Sequence, residues 1–302
     1  MIARLTGTAP ATLYPDFLDA LRAAGFRGQL SADYATRTVL ATDNSIYQRL
    51  PQAAVFPQDA EDVARIAALM AEPRFNAVKL TPRGGGTGTN GQSLTDGIVV
   101  DLSRHMNSIL EINVEERWVR VQAGVVKDQL NAALKPHGLF FAPELSTSNR
   151  ATVGGMINTD ASGQGSCTYG KTRDHVLELH SVLLGGQRLH TRPLDEAELE
   201  QACAEPGRAG EVYRTARQIQ ETQAELIEQI FPKLNRCLTG YDLAHLRDER
   251  AASTSTACCA APRARWVMWS RPSSMCCRSP STQYWSTSAT PASWTPCVTP
   301  MH

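Results

Sequence analysis

The sequence predicts an α+β fold, and three observations carry that prediction. Short apolar runs of strand character alternate along the chain with segments whose apolar residues recur at helical spacing. Clusters of glycine and proline punctuate these segments at intervals suited to turns and loops. The 302 residues are 42% hydrophobic and 20% charged, an ordinary balance for a globular chain with a buried core, and no internal repeat is present.

The elements follow in order. Residues 1–50 read as a helical lead-in, with Leu13, Phe17, Leu18 and Leu21 at helical spacing and Gly25 as the stop. Ala53–Phe56 is a short strand closed by Pro57. From Asp59 to Met70 the apolar positions Val63, Ile66, Ala67 and Met70 mark an amphipathic helix. Val78–Thr81 is a strand that runs directly into Pro82–Gly86, and Ile98–Leu102 is the next strand. Trp118–Val121 alternates as a strand does, and Val125–Leu134 is a helix ended by Pro136. Val176–Leu184 and Arg188–Thr191 are strands joined by Gly185–Gly186, a hairpin signal. A helical insertion at 195–235 includes Val212, Ala216, Ile219, Leu226 and Ile230, and Pro232 ends it.

Formal net charge is zero, so no global field points to nucleic acid or an acidic membrane. No apolar run approaches the roughly eighteen residues of a membrane span. Met1–Leu13 lacks the apolar core of a secretory signal. The expectation is a cytoplasmic protein, with a peripheral contact at the inner membrane left open.

Two segments concentrate the chemistry. In Gly84–Gly91 five of eight residues are glycine. Such a run costs backbone entropy, which a protein sustains where bare amides must approach a ligand. Successive unshielded N–H groups form an anion-binding nest, and Arg83, Thr87 and Thr89 could add donors. The second segment, Pro143 to Thr172, is rich in small polar residues and too long for a simple connector. Two motif matches inside these segments fail on context. Gly86–Gly91 fits G-x-G-x-x-G, yet a strand follows where a helix must begin. Gly165–Thr172 fits G-x-x-x-x-G-K-[ST] but lacks the preceding buried strand, leaving a P-loop NTPase as the competing reading.

The ordered set Pro82–Asn90, Gly97–Ser103, Val121–Val125, Gly154–Gly155 and Tyr169–Gly170 resembles the FAD domain of the vanillyl-alcohol oxidase / p-cresol methylhydroxylase family. Pro143–Arg150 and Asp160–Gly165 are similar to the bacterial FAD-linked D-2-hydroxy-acid dehydrogenases, the large D-2-hydroxyglutarate and D-lactate group above all. The resemblance implies a two-lobed FAD-binding domain over residues 51–248 with flavin between the lobes. It places the FAD pyrophosphate on Arg83, Gly84, Gly85, Gly86, Thr87, Gly88, Thr89 and Asn90. It places the flavin and ribityl side on Pro143, Glu144, Thr147, Thr152, Gly154, Gly155, Asp160, Gly163, Tyr169 and Gly170. Asp160 stands where many relatives have Asn. Relatives with covalent flavin often carry a His at the end of the glycine loop; Thr87 and Thr89 stand there, which implies non-covalent FAD. The implied reaction oxidises a small 2-hydroxy acid and passes electrons to a quinone, a cytochrome or a flavoprotein. Substrate-side residues of such enzymes come mostly from a cap domain further on. His105, His137, His175, His180, His190 and His245 read as scattered, with no metal cluster and no catalytic residue among them.

Composition breaks near residue 250. From Ala251 onward there is no Gly, Leu, Ile, Phe, Asp, Glu or Lys, while five of the eight cysteines and four of the five tryptophans fall there. Relatives continue after Thr239–Leu243 with a Gly-, Glu- and Leu-containing segment that completes the FAD lobe. Back-translation of Ala257–Met268, read two bases later, permits Val-Leu-Cys-Gly-Ala-Glu-Gly-Ser-Leu-Gly-Tyr-Val. The expectation is a frameshift near Asp248–Ala252, with residues 249–302 an aberrant, disordered tail. The domain is then incomplete at its C-terminus, and a cap and an iron–sulfur module of the parent protein are missing. The adjacent pairs Cys258–Cys259 and Cys276–Cys277 lack the C-x₂-C spacing of structural zinc sites.

Overall fold

A computed structural model describes residues 12–231, 243–246, 253–254 and 268–269. Helix α1 (Leu13–Ala23) buries Leu13, Phe17, Leu18 and Leu21. Strand β1 (Gln29–Ser31) and helix α2 (Tyr34–Val39) follow, the latter capped by the Asp33 carboxylate, which accepts from the Thr36 amide. The lead-in is thus not purely helical. β1 pairs antiparallel with β2 (Ala53–Phe56), so the segment before residue 51 belongs to the same sheet.

Helix α3 (Ala60–Met70) starts at Asp59, whose carboxylate accepts from the amides of Glu61 and Asp62. Val63, Ile66 and Ala67 face the core, as their spacing requires. Strands β3 (Leu80–Arg83) and β4 (Ile98–Asp101) complete a four-stranded sheet of order β1-β2-β4-β3, in which β2, β4 and β3 run parallel. β3 begins two residues later than the sequence suggested and includes Pro82. A proline is tolerated because β3 is the edge strand, where a missing amide leaves no gap in the ladder. The four residues of β4 are all buried, as a central parallel strand should be.

Strand β5 (Ile109–Asn113) pairs antiparallel with β6 (Trp118–Val121) through an irregularity between Ile109 and Glu111. Helix α4 (Lys127–Leu134) leads to α5 (Val153–Asn158) and the single-turn α6 (Ser166–Tyr169). Strands β7 (Leu179–Val182) and β8 (Arg188–Thr191) form a hairpin whose turn glycines, Gly185 and Gly186, have φ of +99° and +83°. That is the left-handed territory the Gly-Gly signal anticipates. β9 (Pro193–Leu194), α7 (Glu196–Ala204) and α8 (Gly207–Ile230) follow.

One apolar core runs from α1 and α3 through β4 to β6, α4, α5 and the β7–β8 hairpin. Within it Phe17 meets Phe75 edge to face, with ring centres 5.2 Å apart. Asp62 is fully buried and accepts from the amides of Arg27 and Gln58 and from Arg65, tying the start of α3 to the preceding loop.

The expected tail is structured at two places. β10 (Ser253–Thr254) pairs antiparallel with β9, and β11 (Met268–Trp269) pairs antiparallel with Ser181–Val182 of β7. Backbone pairing asks little of side-chain identity, so a segment of unusual composition can still join a sheet edge. The remainder of the tail, with Cys258, Cys259, Cys276, Cys277 and Cys297, lies outside the described residues, as does Thr239–Asp242.

Candidate functional site

The glycine loop leaves β3 at the sheet edge and returns to β4 through residues 84–97. Its context excludes the dinucleotide motif, since β4 follows and no helix does. The amides of Gly84, Gly85, Gly86, Thr87, Gly88 and Thr89 make no hydrogen bond to any described residue, and none of these six residues is buried. Polar backbone in that state is held by water or by a ligand.

Glycine is required here by contacts on the other side of the chain. A methyl on Gly84 would lie 2.1 Å from the Thr152 hydroxyl, and one on Gly85 would lie 1.9 Å from the Arg150 carbonyl oxygen. These clashes show how closely the loop lies against residues 150–152, so the two glycine-rich segments meet. Thr152 is buried, caps α5 by accepting from the Gly155 amide, and backs the loop. Gly154 packs on Ala123, to whose carbonyl its amide donates at 2.8 Å. Thr147 organises the approach: its carbonyl accepts from the amides of Arg150 and Ala151.

Arg83 sits behind the loop. Its guanidinium donates to the carbonyls of Thr42 at 2.8 Å and Leu40 at 3.4 Å, and Gly86, at φ +61°, passes over it. Burial draws this guanidinium below the ordinary arginine range, with Asp101 and Asp43 acting against the shift. Thr87, Thr89 and Asn90 lie on the accessible side, and the Asn90 amide donates to Gln92 Oε1 at 3.1 Å.

Pro143 is buried and Glu144 exposed. The Glu144 carboxylate accepts from the Gly165 amide at 3.1 Å, and a methyl on Gly163 would strike the Glu144 carbonyl at 2.4 Å. Asp160, Tyr169 and Gly170 form a further group beyond α5. Asp160 is buried at φ +43°, a backbone state that Asp tolerates better than most residues. Its carboxylate accepts from the Arg173 amide and lies 3.6 Å from Lys171 Nζ and 3.8 Å from Arg173 Nε. The Tyr169 ring meets Phe140 edge to face at 5.7 Å, and its carbonyl contacts His175 Nε2 at 2.7 Å. Gly170, at φ +80°, turns the chain against Asp174. Residues 165–172 are a helical turn and a left-handed glycine with no strand before them, so the P-loop match has no structural counterpart.

Sequence reasoning missed two lysines. Lys127 is buried at the start of α4, and burial pulls its ammonium down while Asp128 and Glu144 act to raise it. Lys171 Nζ is buried without a hydrogen-bond partner among the described residues. The reading of the histidines as scattered is also corrected. Glu178, His180 and His190 come together on the β7–β8 hairpin, because its register sets His180 opposite His190.

Residues 51–192 match the family described as FAD binding domain. The chain is 86% identical over 250 residues to a D-2-hydroxyglutarate dehydrogenase of Pseudomonas putida, covering 83% of this chain and 25% of that protein. With the enzyme of the same name from Escherichia coli it shares 60% identity over 231 residues, 76% of this chain and 23% of the relative. The chain therefore spans about a quarter of the length of these relatives. Among solved structures, an alkyldihydroxyacetonephosphate synthase matches with a TM-score of 0.53 and 25% identity, over 59% of this chain and 38% of that one. No helix among the described residues is long and apolar enough to cross a membrane.

Proposed function

We propose that residues 51–192, which match the FAD binding domain family, form a flavin domain of the p-cresol methylhydroxylase type, and that this chain is the flavin-binding part of a dehydrogenase that oxidises a small D-2-hydroxy acid, D-2-hydroxyglutarate or D-lactate, to the 2-oxo acid. The observation that carries the reading is the row of free amides from Gly84 to Thr89, set against the second glycine-rich segment. Such a row fits the two negative charges of a pyrophosphate, and glycine lets the phosphate oxygens reach the backbone. Thr87, Thr89 and Asn90 add side-chain donors at the rim, while Arg83 and Thr152 hold the loop in shape from behind. Pro143, Glu144, Thr147, Gly154, Gly155, Asp160, Gly163, Tyr169 and Gly170 line the flavin side in this reading. Held there non-covalently, FAD supplies a hydride acceptor that can pass electrons onward. The acceptor is a quinone, a cytochrome or a second flavoprotein, and the enzyme is cytoplasmic or peripheral to the inner membrane.

The test is a visible spectrum of the folded protein during titration with FAD, then after addition of D-2-hydroxyglutarate or D-lactate. Uptake of one flavin with a shifted, structured absorption band is the expected result. Folded protein that stays colourless and leaves added FAD free refutes the assignment. A second reading, a flavin-binding fragment without turnover, is favoured by the break in composition at residue 251. It differs in that the bound flavin is not bleached by either acid.

In the same proposal, residues 249–302 are out of frame with the rest of the gene. Sequencing the DNA across codons 248–252 tests this. An intact frame with no homologous alternative reading removes it.

A further inference from the structure

We propose that the β7–β8 hairpin carries a binding site for a divalent transition metal of the zinc class, built from Glu178, His180 and His190. The argument starts from strand geometry. Side chains alternate faces along a strand, so Glu178 and His180 share one face of the hairpin. Antiparallel register places His190 directly opposite His180 and brings a ligand from the second strand to that face. The two imidazoles stack with ring centres 4.0 Å apart and planes within 6° of parallel. His190 Nε2 lies 3.1 Å from Glu178 Oε2, and one donor atom from each of the three residues falls within 4.8 Å of the others.

These distances suit a metal after a small adjustment. Zinc bonds to nitrogen and oxygen of about 2.0–2.2 Å put tetrahedral ligands roughly 3.3 Å apart, so the longest separation closes by about 1.5 Å. Side-chain rotation supplies that, because all three side chains are at least partly accessible. The backbone beneath is fixed. Leu179 and Leu189 anchor the strands in the core, and the Tyr213 hydroxyl donates to the His190 carbonyl at 2.7 Å. Two imidazoles and one carboxylate match Zn²⁺, Co²⁺, Ni²⁺ or Cu²⁺ and do not match the all-oxygen sets that Mg²⁺ and Ca²⁺ require. Among the described residues, Arg192, a cation close enough to Glu178 to feel its charge, is paired with Glu198 at 2.7 Å. Three protein ligands leave an outward coordination position for water or an exogenous ligand.

The hairpin lies within the 51–192 match but outside both glycine-rich segments, so this site stands or falls independently of the flavin reading. Binding exchanges the proton of the His190–Glu178 hydrogen bond for the metal ion. Bridging the two strands, the ion would clip the hairpin shut.

The experiment titrates the metal-free full chain with Co²⁺, then with Cu²⁺, using nothing but the metal as ligand. Expected are one equivalent of Co²⁺ with weak visible bands and no thiolate charge-transfer absorption, and Cu²⁺ spectra showing coupling to imidazole nitrogen. His190→Gln and Glu178→Gln should each weaken binding by about tenfold or more. Both positions are partly exposed, and unchanged circular dichroism confirms that these variants fold. Thiolate bands from the cysteines, binding well below one equivalent, or unchanged affinity in folded His190→Gln overturns the proposal.

Discussion

Gly85→Ala isolates the geometry of the glycine loop. The added methyl would sit 1.9 Å from the Arg150 carbonyl oxygen, whereas ordinary contact begins near 3.4 Å, so loop and turn must separate by about 1.5 Å. The turn resists, because the Arg150 and Ala151 amides are both bonded to the Thr147 carbonyl. The loop therefore moves, taking with it the amides of Gly85 and Gly86. Losing two hydrogen bonds to a charged phosphate, partly offset by water, costs about 3 kcal/mol. That is roughly a 100-fold loss in FAD affinity. Gly88→Ala is the control in the same loop. The nearest atoms its methyl meets are the end of the Gln92 side chain, which can rotate away at the loss of one bond from the Asn90 amide, and less than about a tenfold loss is expected. Affinity is read from quenching of flavin fluorescence on titration, with melting temperature recorded to separate folding from binding. Equal losses for the two variants, or none for Gly85→Ala, would refute the reasoning.

Two further outcomes are expected. Asp62→Ala deprives the Arg27 and Gln58 amides and Arg65 of a buried carboxylate acceptor and should cost about 3 kcal/mol. For a domain of this size the melting temperature then falls by roughly 10 °C, with Asp62→Asn less affected; a shift under about 2 °C counts against that role. The Ser31 hydroxyl and Thr36 amide hold the Asp33 carboxyl at about 2, below its ordinary 3.8. Because the folded value is the lower one, its capping of α2 is intact above the ordinary value and is lost as pH falls through about 2. Faster hydrogen exchange at the Thr36 amide across that window, absent in Asp33→Ala, is the check.

Much of this fold was legible because its signals are local. The 3.6-residue stripe of α3, the alternation of Trp118–Val121 and the Gly185–Gly186 turn each state their structure within a few residues. The convergence of the two glycine-rich segments was not legible from spacing. It depends on Thr152 and Arg150 meeting Gly84 and Gly85 across more than sixty residues of chain, and only the family resemblance implied it. β5 escaped because Ile109–Asn113 carries its apolar residues irregularly across a register shift. Arg83 read as a ligand donor by position, whereas its guanidinium is engaged by Leu40 and Thr42, more than forty residues upstream. The Glu178–His180–His190 group was not legible from the turn signal: a two-residue Gly185–Gly186 turn would set His180 opposite Thr191, whereas the loop takes in Leu184 as well and the register sets His180 opposite His190.

The antiparallel partnership of β1 with β2 bears on any shortened version of this polypeptide. Cutting at residue 51, where the recognisable domain begins, would strip Leu13, Phe17, Leu18 and Leu21 from the helix they cover. It would also bare the flank of a strand whose four side chains are all buried. An open hydrogen-bonding flank next to a greasy surface invites other molecules to add on edgewise, so the shorter protein should self-associate. Residues 12–50 act as a built-in cover against aggregation.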